Sequence, residues 1–113
     1  MKVTTRFALL TLLGVTSAHA AYFCTGTVTS VAVATNGTVT VTGIQGLESA
    51  ALCNITGTAN SITPELCRTI YATLLTAKLT NRPVTFAYND ALSCSTHPAW
   101  GVLTGWYFGP RVE

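Results

Sequence analysis

Asp90, Ser93, Ser95 and His97 fall within one short stretch of the chain. A carboxylate, two hydroxyls and an imidazole are the residue types of a nucleophilic hydrolase, in which the imidazole takes the hydroxyl proton and the carboxylate orients the ring. Such a device needs its groups aimed at one point, and spacing inside a single loop beside a cysteine does not imply that aim. His97-Pro98 reads more simply as a turn. Glu48, Glu65, Asp90 and Glu113 are the acids, and their spacing offers no pair suited to glycosidic cleavage. No C-x-x-C occurs, and His97 is the one histidine after residue 20, so neither a metal nor another cofactor is expected. The expectation is a protein without catalytic residues.

Aromatic residues are the stronger lead. Trp100, Trp106, Tyr107 and Phe108 crowd the C-terminal part of the chain. Tryptophan faces stack on sugar rings, anchor protein interfaces or fill cores. Trp106 shares a strand face with Val102 and Phe108 and reads as core. Trp100 borders a polar loop, where core packing and ligand contact stand as equal alternatives. If a ligand is bound, Trp100, His97, Asp90 and Asn89 are the expected contacts. A second unusual feature is a threonine stripe, Thr69, Thr73, Thr76 and Thr80, on one side of a predicted helix. Exposed helix faces normally carry Glu and Lys. A neutral threonine face suits a protein contact or a pore lining, or else reflects the composition of a threonine-rich chain.

The elements that must position these residues follow an export signal. Lys2 and Arg6 precede an apolar run from Phe7 to Val15, too short to span a bilayer. Ala18-His19-Ala20 supplies the small-x-small pattern for cleavage between Ala20 and Ala21. The expected location is the periplasm or the exterior, with no membrane span after cleavage. Residues 21–113 then form a single domain. In it Arg68, Lys78, Arg82 and Arg111 balance the four acids, so the excess positive charge lies wholly in the signal. A neutral chain has no basic patch for a nucleic-acid backbone or an anionic lipid surface.

Tyr22–Ala34 reads as a strand with a bulge near Thr29-Ser30. Asn36-Gly37 marks a tight hairpin turn, and Thr38–Thr42 alternates as a second strand. Ala50–Ile55 is a short third strand. Thr63 caps a helix that has Pro64 at its first position and Glu65 in its first turn. It runs to about Leu79, with Cys67, Ile70, Tyr71 and Leu74 on the buried face. Val84–Tyr88 is a fourth strand and Trp100–Phe108 a fifth. The expected fold is mainly β with one helix (α+β), a small OB-like five-stranded barrel.

Cys24, Cys53, Cys67 and Cys94 give an even count in an exported domain and read as two disulfides. Cys53–Cys67 would tie helix to sheet across roughly 14 residues, worth about 3 kcal/mol. That leaves Cys24–Cys94 to join the first strand to the approach of the last.

Ala51-Leu52-Cys53-Asn54, the polar loop after it, Pro64-Glu65, the helix to Lys78 and Pro83-Val84-Thr85 form a pattern that resembles the B subunits of subtilase-cytotoxin type. The resemblance covers about the middle half of residues 21–113. It implies a homopentameric ring that binds cell-surface glycans, with the helices around a central pore where the threonine stripe would fit. It assigns no sugar-binding residue to this sequence. The leading expectation is therefore an exported, non-catalytic binding module that is homo-oligomeric and takes a glycan or an exported protein partner. The alternative is a monomeric periplasmic inhibitor or envelope protein-binding domain.

Overall fold

The computed structural model describes residues 21–113; the export signal expected over residues 1–20 lies outside the described residues. Six elements follow in order: β1 (Tyr22–Val33), β2 (Thr38–Gly43), β3 (Leu47–Asn54), α1 (Pro64–Leu79), β4 (Pro83–Tyr88) and β5 (Trp106–Val112). The strands make one antiparallel five-stranded sheet in the order β3-β2-β1-β4-β5. The protein is mainly β with one helix and two disulfides.

β1 holds the sheet together by serving two partners. Tyr22–Thr27 pairs with β4, and the chain then slips register between Val28 and Ser30 before pairing with β2. An extra residue at such a point bends the strand and increases its twist. The β1–β2 hairpin departs from the expected two-residue turn. Gly37 N–H donates to Ala34 O at 2.9 Å and Ala34 N–H donates to Thr38 O at 2.8 Å. Of the loop residues only Gly37 has positive φ, at 90°. This is the three-residue loop with a glycine bulge, which tolerates ordinary residues before the glycine.

In β2 the alternation works as the sequence predicts, with Val39 and Val41 buried and the threonines between them less so. α1 starts where Thr63 Oγ1 accepts from Leu66 N–H at 3.3 Å, with Pro64 at the first position and Glu65 in the first turn. Its inner stripe is Cys67, Ile70, Leu74 and Ala77, packed on the core that holds Leu52, Val84, Phe86 and Tyr88. Tyr71 is half-buried at the margin of that stripe. Cutting Leu74 to alanine would leave a cavity at the centre, at a cost of about 2–5 kcal/mol.

The last strand differs from expectation. It begins at Trp106, not Trp100, and runs on to Val112. Trp100 and Gly105 have positive φ, 61° and 78°, which breaks any continuous strand through them. Val102 and Phe108 are consequently exposed, and Trp106 is half-buried against the core. The sheet is not closed by a ladder between β3 and β5. Residues 100–103 instead lie along β3 and make one parallel bridge, Ala51 with Val102. Trp100 N–H donates to Glu48 O, Ala51 N–H to Gly101 O and Leu103 N–H to Ala51 O, each at 2.9 Å.

One disulfide joins Cys24 in β1 to Cys94 in the loop before this segment; the other joins Cys53 in β3 to Cys67 in α1. Both have Cα atoms 5.6 Å apart, well inside the usual range. They are the two pairs that the spacing of the cysteines suggests.

Candidate functional site

The Asn89–Trp100 loop leaves β4 and is fixed at three points. Asn89 N–H donates to Gly105 O at 2.9 Å, Cys94 is bonded to Cys24, and Trp100 N–H is held by β3. Between these ties the loop folds back over the β1–β4 ladder and places His97 against two tyrosines.

Tyr22 and Tyr88 are direct partners in the β1–β4 register. Their rings stack at 5.0 Å with 9° between planes. His97 packs on Tyr88 at 4.6 Å between centroids and on Tyr22 at 6.3 Å. Tyr22 Oη donates to Asp90 Oδ1 at 2.5 Å and lies 3.3 Å from His97 Nε2. Leu92 N–H donates to the same Asp90 oxygen at 3.0 Å. The structure thus brings Asp90 and His97 together, with Tyr22 between them.

Burial governs the electrostatics. It holds the His97 imidazole below its usual pKa, against a smaller upward pull from the Asp90 charge. It pushes both tyrosine phenols well above the usual phenol range, and the Asp90 hydrogen bond and charge add to the effect at Tyr22. The cluster is therefore a neutral imidazole and two firmly protonated phenols around one carboxylate. His97 is only 9 % exposed.

Among the described residues no serine hydroxyl is hydrogen-bonded to His97. Ser93 Oγ lies 3.3 Å from Ser95 Oγ and 3.2 Å from Thr96 Oγ1, while His97 Nε2 faces Tyr22. Among the described residues no group of three His, Cys, Asp or Glu side chains could hold a metal ion. The cluster clamps the loop instead: four side chains and a disulfide fix its path to Trp100.

The expected contact residues separate into two kinds. Asp90 and His97 form the clamp, whereas Asn89 and Trp100 face solvent. Trp100 is 76 % exposed and sits in the left-handed region. Sequence reasoning missed Tyr22 and Tyr88 as members of the cluster. The available signal was their position at strand ends, but only the register makes them neighbours.

On α1, every hydroxyl of the threonine stripe turns back to its own helix. Thr69, Thr73, Thr76 and Thr80 donate to the carbonyls of Glu65, Thr69, Ala72 and Thr76, at 2.8–3.3 Å. Each hydroxyl commits its donor to the helix and keeps only acceptor lone pairs for solvent or a partner. Thr69, Thr73 and Thr76 with Ala72 line a shallow trough toward Val112.

Among the described residues no helix is long and apolar enough to cross a membrane. Compared with known protein families, with curated proteins and with solved structures, the chain matches none.

Proposed function

We propose that this chain is an exported, non-catalytic carbohydrate-binding module, built on a partly open OB-like barrel and working as a ring of copies of the toxin-B-subunit kind. The observation that carries the binding reading is Trp100. A bulky residue at φ 61° is strained, and glycine would sit there more easily. Yet the side chain is 76 % exposed, so core packing does not explain its presence. A flat aromatic held out on a clamped loop suits stacking on a sugar ring.

The barrel reading is supported by the Ala51–Val102 bridge, which brings the segment before β5 onto the far edge of the sheet. The oligomer reading, a pentamer by resemblance, is supported by the threonine trough on α1, where Arg68 is the single charged lining residue. Export is supported by the two disulfides. The non-catalytic reading is supported by the partners these groups take, Ser93 with Ser95 and Thr96, and His97 Nε2 with Tyr22.

The test is glycan-array binding by the exported protein and by Trp100→Ala. Wild type should bind, and the variant should lose binding with an unchanged far-UV spectrum and melting temperature. A variant that binds as well as wild type removes Trp100 from the site. A second reading, a monomeric periplasmic inhibitor, is favoured by Phe23, which is 58 % exposed beside the disulfide-anchored loop. A native mass equal to one chain, with no glycan bound, would select it.

A further inference from the structure

A cavity of about 410 Å³ lies outside the clamp, between the Asn60-Ser61 turn, the first half of α1 and residues 103–107. That volume lies within the usual range for small-ligand sites, about 300–1,000 Å³. Leu66, Ile70 and Trp106 supply apolar walls, and Asn60, Ser61 and Thr104 supply polar groups. No charged side chain lines it.

Three features of the rim bear on what the cavity can hold. Asn60 Nδ2 donates to Leu52 O at 3.1 Å, which fixes the amide and leaves its oxygen without a partner among the described residues. The Ser61 and Thr104 side chains are exposed and their hydroxyls bond to no other described residue, so both stand open to solvent at the mouth of the cavity. The turn itself is rigid: Ala59 and Ile62 exchange backbone hydrogen bonds at 3.1 and 2.9 Å. Asn60 and Ser61 both have positive φ, 53° and 61°. Glycine is the easier residue at the second of these positions, so the Ser61 hydroxyl is held there against a backbone cost.

We infer that this cavity takes one neutral sugar ring, stacked on Trp106 and hydrogen-bonded to Asn60, Ser61 and Thr104. An uncharged wall of this kind gives an anionic sugar no partner for its carboxylate, and such a group is costly to desolvate alone. Free hydroxyls and an amide oxygen match the donors and acceptors of a neutral ring. The inference rests on the carbohydrate reading above but assigns a site separate from Trp100.

The experiment is an NMR titration of the isotope-labelled exported protein with methyl galactoside, methyl mannoside and N-acetylglucosamine. N-acetylneuraminic acid is the charged comparator. At least one neutral sugar should shift the Ser61 and Thr104 amides and the Trp106 indole saturably, and the acid should not. Thr104→Val and Ser61→Gly should each weaken that binding about three- to tenfold, as expected for one lost hydrogen bond. Ser61→Gly relaxes the turn, so its melting temperature should not fall, which separates a lost contact from lost structure. Array binding that needs Trp100, with no neutral sugar reaching these resonances, would overturn this site alone. Equal shifts from the acid would overturn the neutral-ligand assignment. No binding on the array or in solution would overturn both this site and the carbohydrate reading.

Discussion

Tyr22 and Tyr88 face each other across the β1–β4 ladder with their rings stacked 5.0 Å apart, and His97 closes over the pair. The arrangement makes stability depend on pH from both sides. The His97 pKa is lowered on folding, so the unfolded chain binds the proton more readily. Stability is therefore complete above the ordinary imidazole value of 6.5 and falls as pH drops below it. The tyrosine pKa values are raised, so their contribution is present below the ordinary phenol value of 10.0 and is lost as pH rises past it. Urea midpoints should form a plateau between these limits. In His97→Phe, which keeps an aromatic ring, the acid limb should shrink and the alkaline limb remain. An unchanged acid limb would show that His97 does not govern it.

Gly105 backs directly onto Asp90. A Cβ added there would collide with the Asp90 carboxylate, and φ at Gly105 is 78°. Gly105→Ala must therefore displace the carboxylate from Tyr22 as well as strain the backbone. We expect a loss of about 2–4 kcal/mol, seen as a melting temperature lower by roughly 10–25 °C. Gly57, whose added Cβ would meet nothing within 4 Å, is the control. Gly57→Ala should change stability by less than about 1 kcal/mol.

The disulfides should differ in weight. Cys24–Cys94 spans 70 residues and Cys53–Cys67 spans 14. In the chain-entropy model the first contributes about 4 kcal/mol and the second about 3 kcal/mol. Paired serine variants, unfolded in guanidinium, should rank in that order. A non-reducing peptide map of exported protein should contain these two bonds. A Cys24–Cys53 peptide would contradict the fold described.

Charge on the α1 trough tests assembly. Thr73→Glu or Thr76→Glu would place like charges around a ring of copies, where repulsion rises as water is excluded. Sedimentation should show a smaller species than wild type at equal concentration. A wild type that sediments as one chain at high concentration would remove the ring.

Local signals were the legible ones. Thr63-Pro64-Glu65 marks the helix start because capping, proline φ and dipole charge all act within one turn. The β1 slip was legible because the alternation itself changes phase at Thr29-Ser30. The fifth strand was misplaced because Trp100–Gly105 carries strand-like alternation while its backbone turns at both ends. The expected strand ends at Phe108, but Gly109-Pro110 is absorbed inside β5, where the register with β4 slips between Thr85 and Ala87. The tyrosine clamp was hidden for a different reason. Tyr22 meets Tyr88 only through pairing of strands far apart in sequence, and the sequence pattern specifies faces without specifying partners.

The slip at Gly109-Pro110 bears on how copies of this sheet would meet one another. Residues 21–113 carry balanced charge, so copies have little long-range repulsion to keep them apart. An exposed sheet edge in such a chain is a template for runaway fibre growth. Both edges are obstructed here. Residues 100–103 cover part of β3, and β5 is interrupted by a proline that has no N–H to offer a newcomer. Edge geometry thus opposes strand-to-strand pairing between copies where balanced charge offers little repulsion.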